Sequence, residues 1–186
     1  RAERGRRRDD RHVAQGCRSR LARTITEPDN VPFTCLTINN NQIHINDVNA
    51  ATTIHAKTLV NSTFTLALVT GLTVPDTSEN ATANLAWTDI KLPKPVFVGD
   101  TLWSESEILE LRESQSNPSV GIVTMRCRGV NQNAEVVIEF RRTFMAYRRT
   151  AAHSAPTFPP VAGRRTGWPS PARRPGPRAP PPAAAP

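Results

Sequence analysis

The sequence predicts an α+β fold in which a curved antiparallel sheet wraps around a long buried helix, with disordered termini. Three observations carry this expectation. Residues 59–72 are apolar on nearly every face, the mark of a helix hidden on all sides. Four later segments alternate polar and apolar residues or share an apolar face, as half-buried antiparallel strands do. The two ends of the chain differ from the middle in both charge and composition.

The chain of 186 residues has room for one domain of ordinary size with sequence to spare. Its formal charge of +8 is unevenly spread. Residues 1–22 hold eight Arg against three acids, residues 23–149 hold eleven Lys or Arg against thirteen acids, and residues 150–186 hold five Arg and no acid. The sums are +5, −2 and +5, so no specific nucleic-acid surface is expected on the mildly acidic middle. Eleven of the seventeen prolines lie in residues 156–186, which leaves too little apolar surface to offset the entropy of ordering. The expected organisation is a disordered Arg-rich stretch at 1–22, a folded domain at 23–149 and a disordered Pro/Arg/Ala-rich tail at 150–186.

Residues 1–20 lack the apolar run of a secretory signal, and nothing approaches a membrane span, so a cytoplasmic protein with no membrane partner is expected. Cys17, Cys35 and Cys127 have neither CxxC spacing nor metal-like companions and are read as reduced thiols, with no metal site. Asn61-Ser62-Thr63 and Asn80-Ala81-Thr82 match the glycosylation pattern and are read as chance.

Thr26-Glu27-Pro28-Asp29 supplies a capping hydroxyl, an early proline and acids for a short helix through Val31, Phe33 and Leu36. After the polar loop Asn39-Asn40-Asn41-Gln42, Asp47 is expected to cap a second short helix over residues 48–55. The buried helix follows and is expected to stop near Gly71 and Pro75. Strands are expected at 83–92, 101–111, 121–130 and 135–147. In the third, Val123, Met125 and Cys127 alternate with Thr124, Arg126 and Arg128; in the fourth, Val136, Ile138, Phe140, Phe144 and Ala146 share a face. Val98-Gly99-Asp100 and Asn131-Gln132-Asn133 are read as turns between consecutive strands of a meander.

Three motifs then stand in order: Asn39-Asn40-Asn41-Gln42-Ile43-His44 followed by Ala50, Asn61-Ser62-Thr63 with Thr70-Gly71-Leu72, and Leu92-Pro93-Lys94-Pro95-Val96-Phe97-Val98-Gly99-Asp100. In order and spacing they resemble the MaoC-like, or R-specific enoyl-CoA hydratase, family of the hot-dog fold, over residues 24–149. The Asn-x-Asn-x-x-His variant resembles its mesaconyl-CoA hydratase-like branch. Members of the family usually begin with an aromatic, glycine-containing strand ahead of the first helix; residues 1–20 show no such pattern, and the Arg, Pro and Ala bias of both ends resembles GC-rich DNA read in the wrong frame or past a natural boundary, in which case an edge of the sheet is expected to be incomplete.

The resemblance implies addition of water to a short, branched or dicarboxylic 2-enoyl-CoA, or its removal, with no cofactor beyond the coenzyme A that carries the substrate. It also implies a homodimer or higher homo-oligomer. His44 falls on the position of the general base and acid, and Asn39 on that of the family's partner Asp. An amide cannot take up the proton but can hold a water, so Asn39 is expected to orient the water while His44 titrates and Asn41 fixes the loop. The Ser62 backbone N–H is expected to face the thioester oxygen. Thr70 occupies the family's Ser position, with a hydroxyl that either bonds beside the catalytic loop or turns back to its own helix. Asp47 is read as a cap rather than a replacement carboxylate, and His12, His55 and His153 as incidental.

Rival readings are an acyl-thioester-binding protein that lost catalysis through the change at Asn39, a nucleic-acid binder acting through its Arg-rich tails, and a thioesterase on the same fold.

Overall fold

Residues 16–148 are described by the structure, a computed structural model; the expectations for 1–15 and 149–186, with His12 and His153, lie outside the described residues, as does the Cys17 side chain. The element order is β1 (Gly16–Thr24), α1 (Glu27–Leu36), α2 (Asp47–Ala51), α3 (Ser62–Thr77), β2 (Ala81–Lys91), β3 (Thr101–Glu113), β4 (Val120–Val130) and β5 (Val136–Tyr147). The strands form one antiparallel sheet in the order β1-β3-β4-β5-β2.

The alternation in β4 reads directly as burial: Val123, Met125 and Cys127 face inward and Thr124, Arg126 and Arg128 outward. Outward charges pair across strands, Arg126 with Glu107, Arg128 with Glu139 at 2.7 Å, and Arg141 with Asp89 at 3.2 Å. On β5 the inward face is Ile138, Phe140, Arg142 and Phe144, so one guanidinium takes an apolar position. Arg142 donates to Asn84 Oδ1 at 2.8 Å and to the hydroxyls of Thr73 and Ser78 at 3.3 and 3.0 Å. Neutral acceptors thus replace a carboxylate there, and burial pulls its pKa below the usual arginine value.

Two sequence expectations about the sheet are corrected. Residues 16–22 are not outside the domain, since β1 pairs with β3 and completes that edge. An edge strand has one neighbour and needs no clean alternation, which is why its Arg-rich sequence gave no signal. Nor are the strands a simple meander. β2 pairs with β5, not β3, so residues 92–100 cross the sheet between them.

The crossing ends in a turn at Gly99, whose φ of +98° favours glycine. Asp100 locks it: its carboxylate accepts from the Phe97 N–H at 2.9 Å and from Gln132 Nε2 at 2.7 Å, and its carbonyl accepts from the Ile25 N–H at 2.8 Å.

α3 packs on the inner face through Thr65, Val69, Leu72 and Thr73. It runs through Gly71 and Pro75 to Thr77, beyond the expected stop. Late in the helix the missing Pro75 N–H costs one bond, and the Ser78 N–H still closes on the Val74 carbonyl at 3.0 Å. The helix is not hidden all round: Thr63, Ala67 and Gly71 are exposed along one stripe. α1 also departs from expectation, turning Asn30 and Thr34 inward while Leu36 is 81% exposed. Its amino end is as read, with the Asp29 carboxylate accepting from the Thr26 N–H at 2.9 Å and from its hydroxyl at 2.6 Å.

Candidate active site

His44 ends a 3-10 turn, Gln42–His44, that Asn41 caps by accepting the Ile43 N–H at 3.2 Å. The residue is 9% exposed, and its Nδ1 lies 2.8 Å from the Leu59 carbonyl oxygen. A carbonyl can only accept, so Nδ1 is the donor, and in a neutral ring the lone pair is then on Nε2. That is the tautomer a general base requires.

The Leu59 contact ties the ring to the segment leading into α3. A second tie is Asn30, fully buried in α1, which donates from Nδ2 to the His44 carbonyl at 3.0 Å and accepts the Asn61 N–H at 2.9 Å. Asn61 is the cap of α3, its side chain accepting from the Thr63 N–H at 3.0 Å and from the Thr63 hydroxyl at 2.7 Å. Asn61 is 1% exposed, which explains why its glycosylation pattern carries no meaning. One buried amide thus fixes the imidazole loop against the first turn of the central helix. Sequence reasoning missed Asn30; the available signal was an amide at an inward position of a short helix.

Asn39 is half-buried, and its bonds run to Thr34 and Asn41 rather than to His44: its N–H donates to the Thr34 carbonyl at 3.0 Å and its Oδ1 accepts from the Asn41 N–H at 3.3 Å. Ser62 is the exposed first residue of α3. With Leu59, Val60, Thr65, His55 and Lys94 it borders a cavity of about 270 Å³. His44 and Asn39 are not on that wall, whereas Leu59, which holds the imidazole, is.

Thr70 follows neither expected course. Its hydroxyl is buried and without a partner among the described residues, while the carbonyl of Thr70 accepts from the Thr73 hydroxyl at 2.7 Å. Asp47 does not cap α2. Asn46 does, accepting the Asn49 N–H at 3.1 Å, and Asp47 accepts from the Thr58 hydroxyl instead. The helix is also shorter than expected and ends at Ala51.

Cys35 and Cys127 are free thiols, and burial pushes the Cys127 pKa up to about 12, too high for a thiolate nucleophile near neutrality. Among the described residues no group of three or more His, Cys, Asp or Glu could hold a metal ion, and no helix is long and apolar enough to cross a membrane.

Comparison with known proteins bears on this geometry. A mesaconyl-CoA hydratase of Cereibacter sphaeroides is 49% identical over 98 residues, covering 52% of this chain and 28% of that protein. The solved structure of a MaoC domain protein from Chloroflexus aurantiacus superposes with a TM-score of 0.70 at 31% identity, over 84% of this chain and 45% of that one. A Mycobacterium tuberculosis protein with a double hot-dog fold gives a TM-score of 0.66 at 20% identity, over 84% and 47% of the two chains, a likeness of fold. The chain therefore spans less than half the length of each of these relatives. With the five-stranded antiparallel sheet packed on α3, these superpositions establish the hot-dog fold. Residues 10–129 match the profile of the MaoC like domain, and the chain belongs to that family.

Proposed function

We propose that the chain is a hydratase or dehydratase that adds water to a short 2-enoyl-CoA or removes it, the acyl group being branched or dicarboxylic. The observation that carries this reading is the 2.8 Å contact between His44 Nδ1 and the Leu59 carbonyl, which leaves Nε2 as a lone-pair base on a loop pinned to the amino end of α3. In the hydration direction His44 Nε2 takes a proton from the water that attacks the β-carbon. The same nitrogen then returns a proton to the α-carbon. Asn39 orients the water through its amide oxygen, and Asn41 holds the turn. The backbone N–H of Ser62, at the positive end of the helix dipole, meets the thioester oxygen as it takes on enolate charge.

The mesaconyl-CoA hydratase relative supports the choice of acyl class. The chemistry needs no cofactor beyond the coenzyme A of the substrate, and two free thiols support a cytoplasmic setting. A second unit of the same fold, supplied by another copy of this chain, completes the assembly. Its support is the double hot-dog relative, together with the exposed β2 edge carrying Leu85, Trp87 and Ile90. Light scattering should give at least twice the mass of one chain.

The direct test follows enoyl absorbance with crotonyl-CoA and mesaconyl-CoA. The wild type should consume at least one of them, and His44→Ala should lower the rate by about a hundredfold to ten-thousandfold. Binding of both thioesters without turnover would favour the rival thioester-binding reading, for which the amide at Asn39 is the motive.

A further inference from the structure

The cavity at the opening of α3 has mainly apolar walls, Leu59, Val60, Leu92 and Val96 among them, with His55, Ser62, Thr65 and Lys94 as its polar members. Its framework is fixed. Lys94 sits between Pro93 and Pro95, whose rings set the backbone on both sides. That segment is tied to the residues before α3, since the Val60 N–H donates to the Val96 carbonyl at 2.8 Å and Leu59 bridges Phe97. Phe97 packs beside two basic side chains: the His55 ring meets it edge-on at 6.1 Å between centroids, and Lys57 Nζ, off the cavity wall, lies 5.9 Å from its centroid. The Thr65 hydroxyl donates to the Asn61 carbonyl at 3.3 Å and is spent on its own helix. Lys94 Nζ has a partner, Glu135, at 3.5 Å, but both side chains are well exposed, and an open pair of this kind holds its lysine loosely. The space therefore offers an ammonium, an imidazole and a helix amino end, with no carboxylate in its lining.

We infer that this cavity is an anion subsite of the thioester site, in which Lys94 and His55 receive a carboxylate on the acyl chain or a phosphate of coenzyme A. The inference rests on the reading under Proposed function. Ser62 and Lys94 border the same cavity, so a thioester oxygen at the Ser62 N–H lies at the rim of the space that Lys94 and His55 line. A charge-assisted bond to an ammonium selects for a charged group in that space, which a purely apolar pocket cannot do.

Calorimetric titration of the full chain with saturated thioesters, which cannot take up water, tests this apart from turnover. The ligands are methylsuccinyl-CoA and 2-methylbutyryl-CoA, plus the N-acetylcysteamine thioesters of both acids, which lack phosphates. For a carboxylate subsite, Lys94→Met and His55→Gln each raise the Kd of methylsuccinyl-CoA relative to 2-methylbutyryl-CoA by about tenfold, and Lys91→Met on the β2 edge leaves the ratio unchanged. For a phosphate subsite, both coenzyme A esters weaken alike and the N-acetylcysteamine esters do not. A uniform change across all four ligands, no change in any, or no binding by the wild type overturns the inference. A wild type without turnover in which Lys94→Met gives either selective pattern sinks the hydratase reading alone, and turnover with neither pattern sinks the subsite alone.

Discussion

Asn30 donates its side-chain N–H to the main-chain carbonyl of His44 at 3.0 Å from a fully buried position in α1. Its amide oxygen simultaneously accepts the Asn61 N–H at 2.9 Å, so both ends of the amide are used and a loop and a helix cap share one clamp. Truncation would strand a carbonyl and an N–H away from water, at about 1–3 kcal/mol for each unmet group. Asn30→Ala is expected to lower unfolding free energy by about 2–4 kcal/mol in urea titration. Asn40→Ala, exposed in the adjoining loop, should change it by less than about 0.5 kcal/mol. Equal effects would show that the clamp contributes nothing.

At Gly129 the sheet leaves no room for a side chain beneath α3. A Cβ there would lie 2.7 Å from both Ile138 Cγ2 and Val69 Cγ2, each buried in the core. Gly129→Ala is expected to cost about 1–3 kcal/mol through overpacking, read as a lowered Tm. Gly121→Ala is its control on the same strand, where the new atom meets only the Arg112 carbonyl at an ordinary 3.6 Å. A Tm loss as large in the control would remove close packing as the cause.

The elements most legible in the sequence were those with two buried neighbours. β4 announced itself because Val123, Met125 and Cys127 must all point at α3 while the arginines between them reach solvent. The His44 loop and α3 were legible through a motif whose spacing matches a known family. Residues that break a local rule were not legible. β1 is an edge strand rich in arginine, Arg142 puts a guanidinium on the core face of β5, and Asn30 and Thr34 turn polar groups inward on α1. In each case a long-range partner decides the matter: β3 for β1, the Thr73 and Ser78 hydroxyls for Arg142, and the Asn61 cap for Asn30. Periodicity within ten residues carries no record of such partners. The order of β2 in the sheet was hidden for the same reason, since a crossing at 92–100 and a tight hairpin use similar turn residues.

Acid should reveal the cap of α1. The hydroxyl and N–H of Thr26, then Arg23, hold the Asp29 carboxyl below its usual pKa of 3.8. A folded-state pKa below the unfolded one means stability that is present above the unfolded value and lost as pH falls through the folded one. Wild type should therefore exceed Asp29→Asn in urea midpoint at about pH 6, with the gap closing as pH falls below 3.8 and through the lowered folded-state value. A gap that persists unchanged at low pH would assign the difference to shape rather than charge.

Asn39 gives the most direct reading of the chemistry. Its Oδ1 already accepts the Asn41 N–H at 3.3 Å, and a carboxylate oxygen can make the same bond, so Asn39→Asp should leave the loop in place. A carboxylate accepts more strongly than an amide and can also take up a proton. If Asn39 orients the attacking water for His44, the substitution should raise kcat about tenfold or more under saturating thioester, since a positioned general base is worth about a hundredfold to ten-thousandfold. The pH profile should gain a limb that falls on the acid side, where the new carboxyl protonates and its advantage disappears. A lower kcat with unchanged thermal stability would mean that the amide N–H₂, which the carboxylate lacks, is what the reaction uses, and the water-orienting role of Oδ1 would fall.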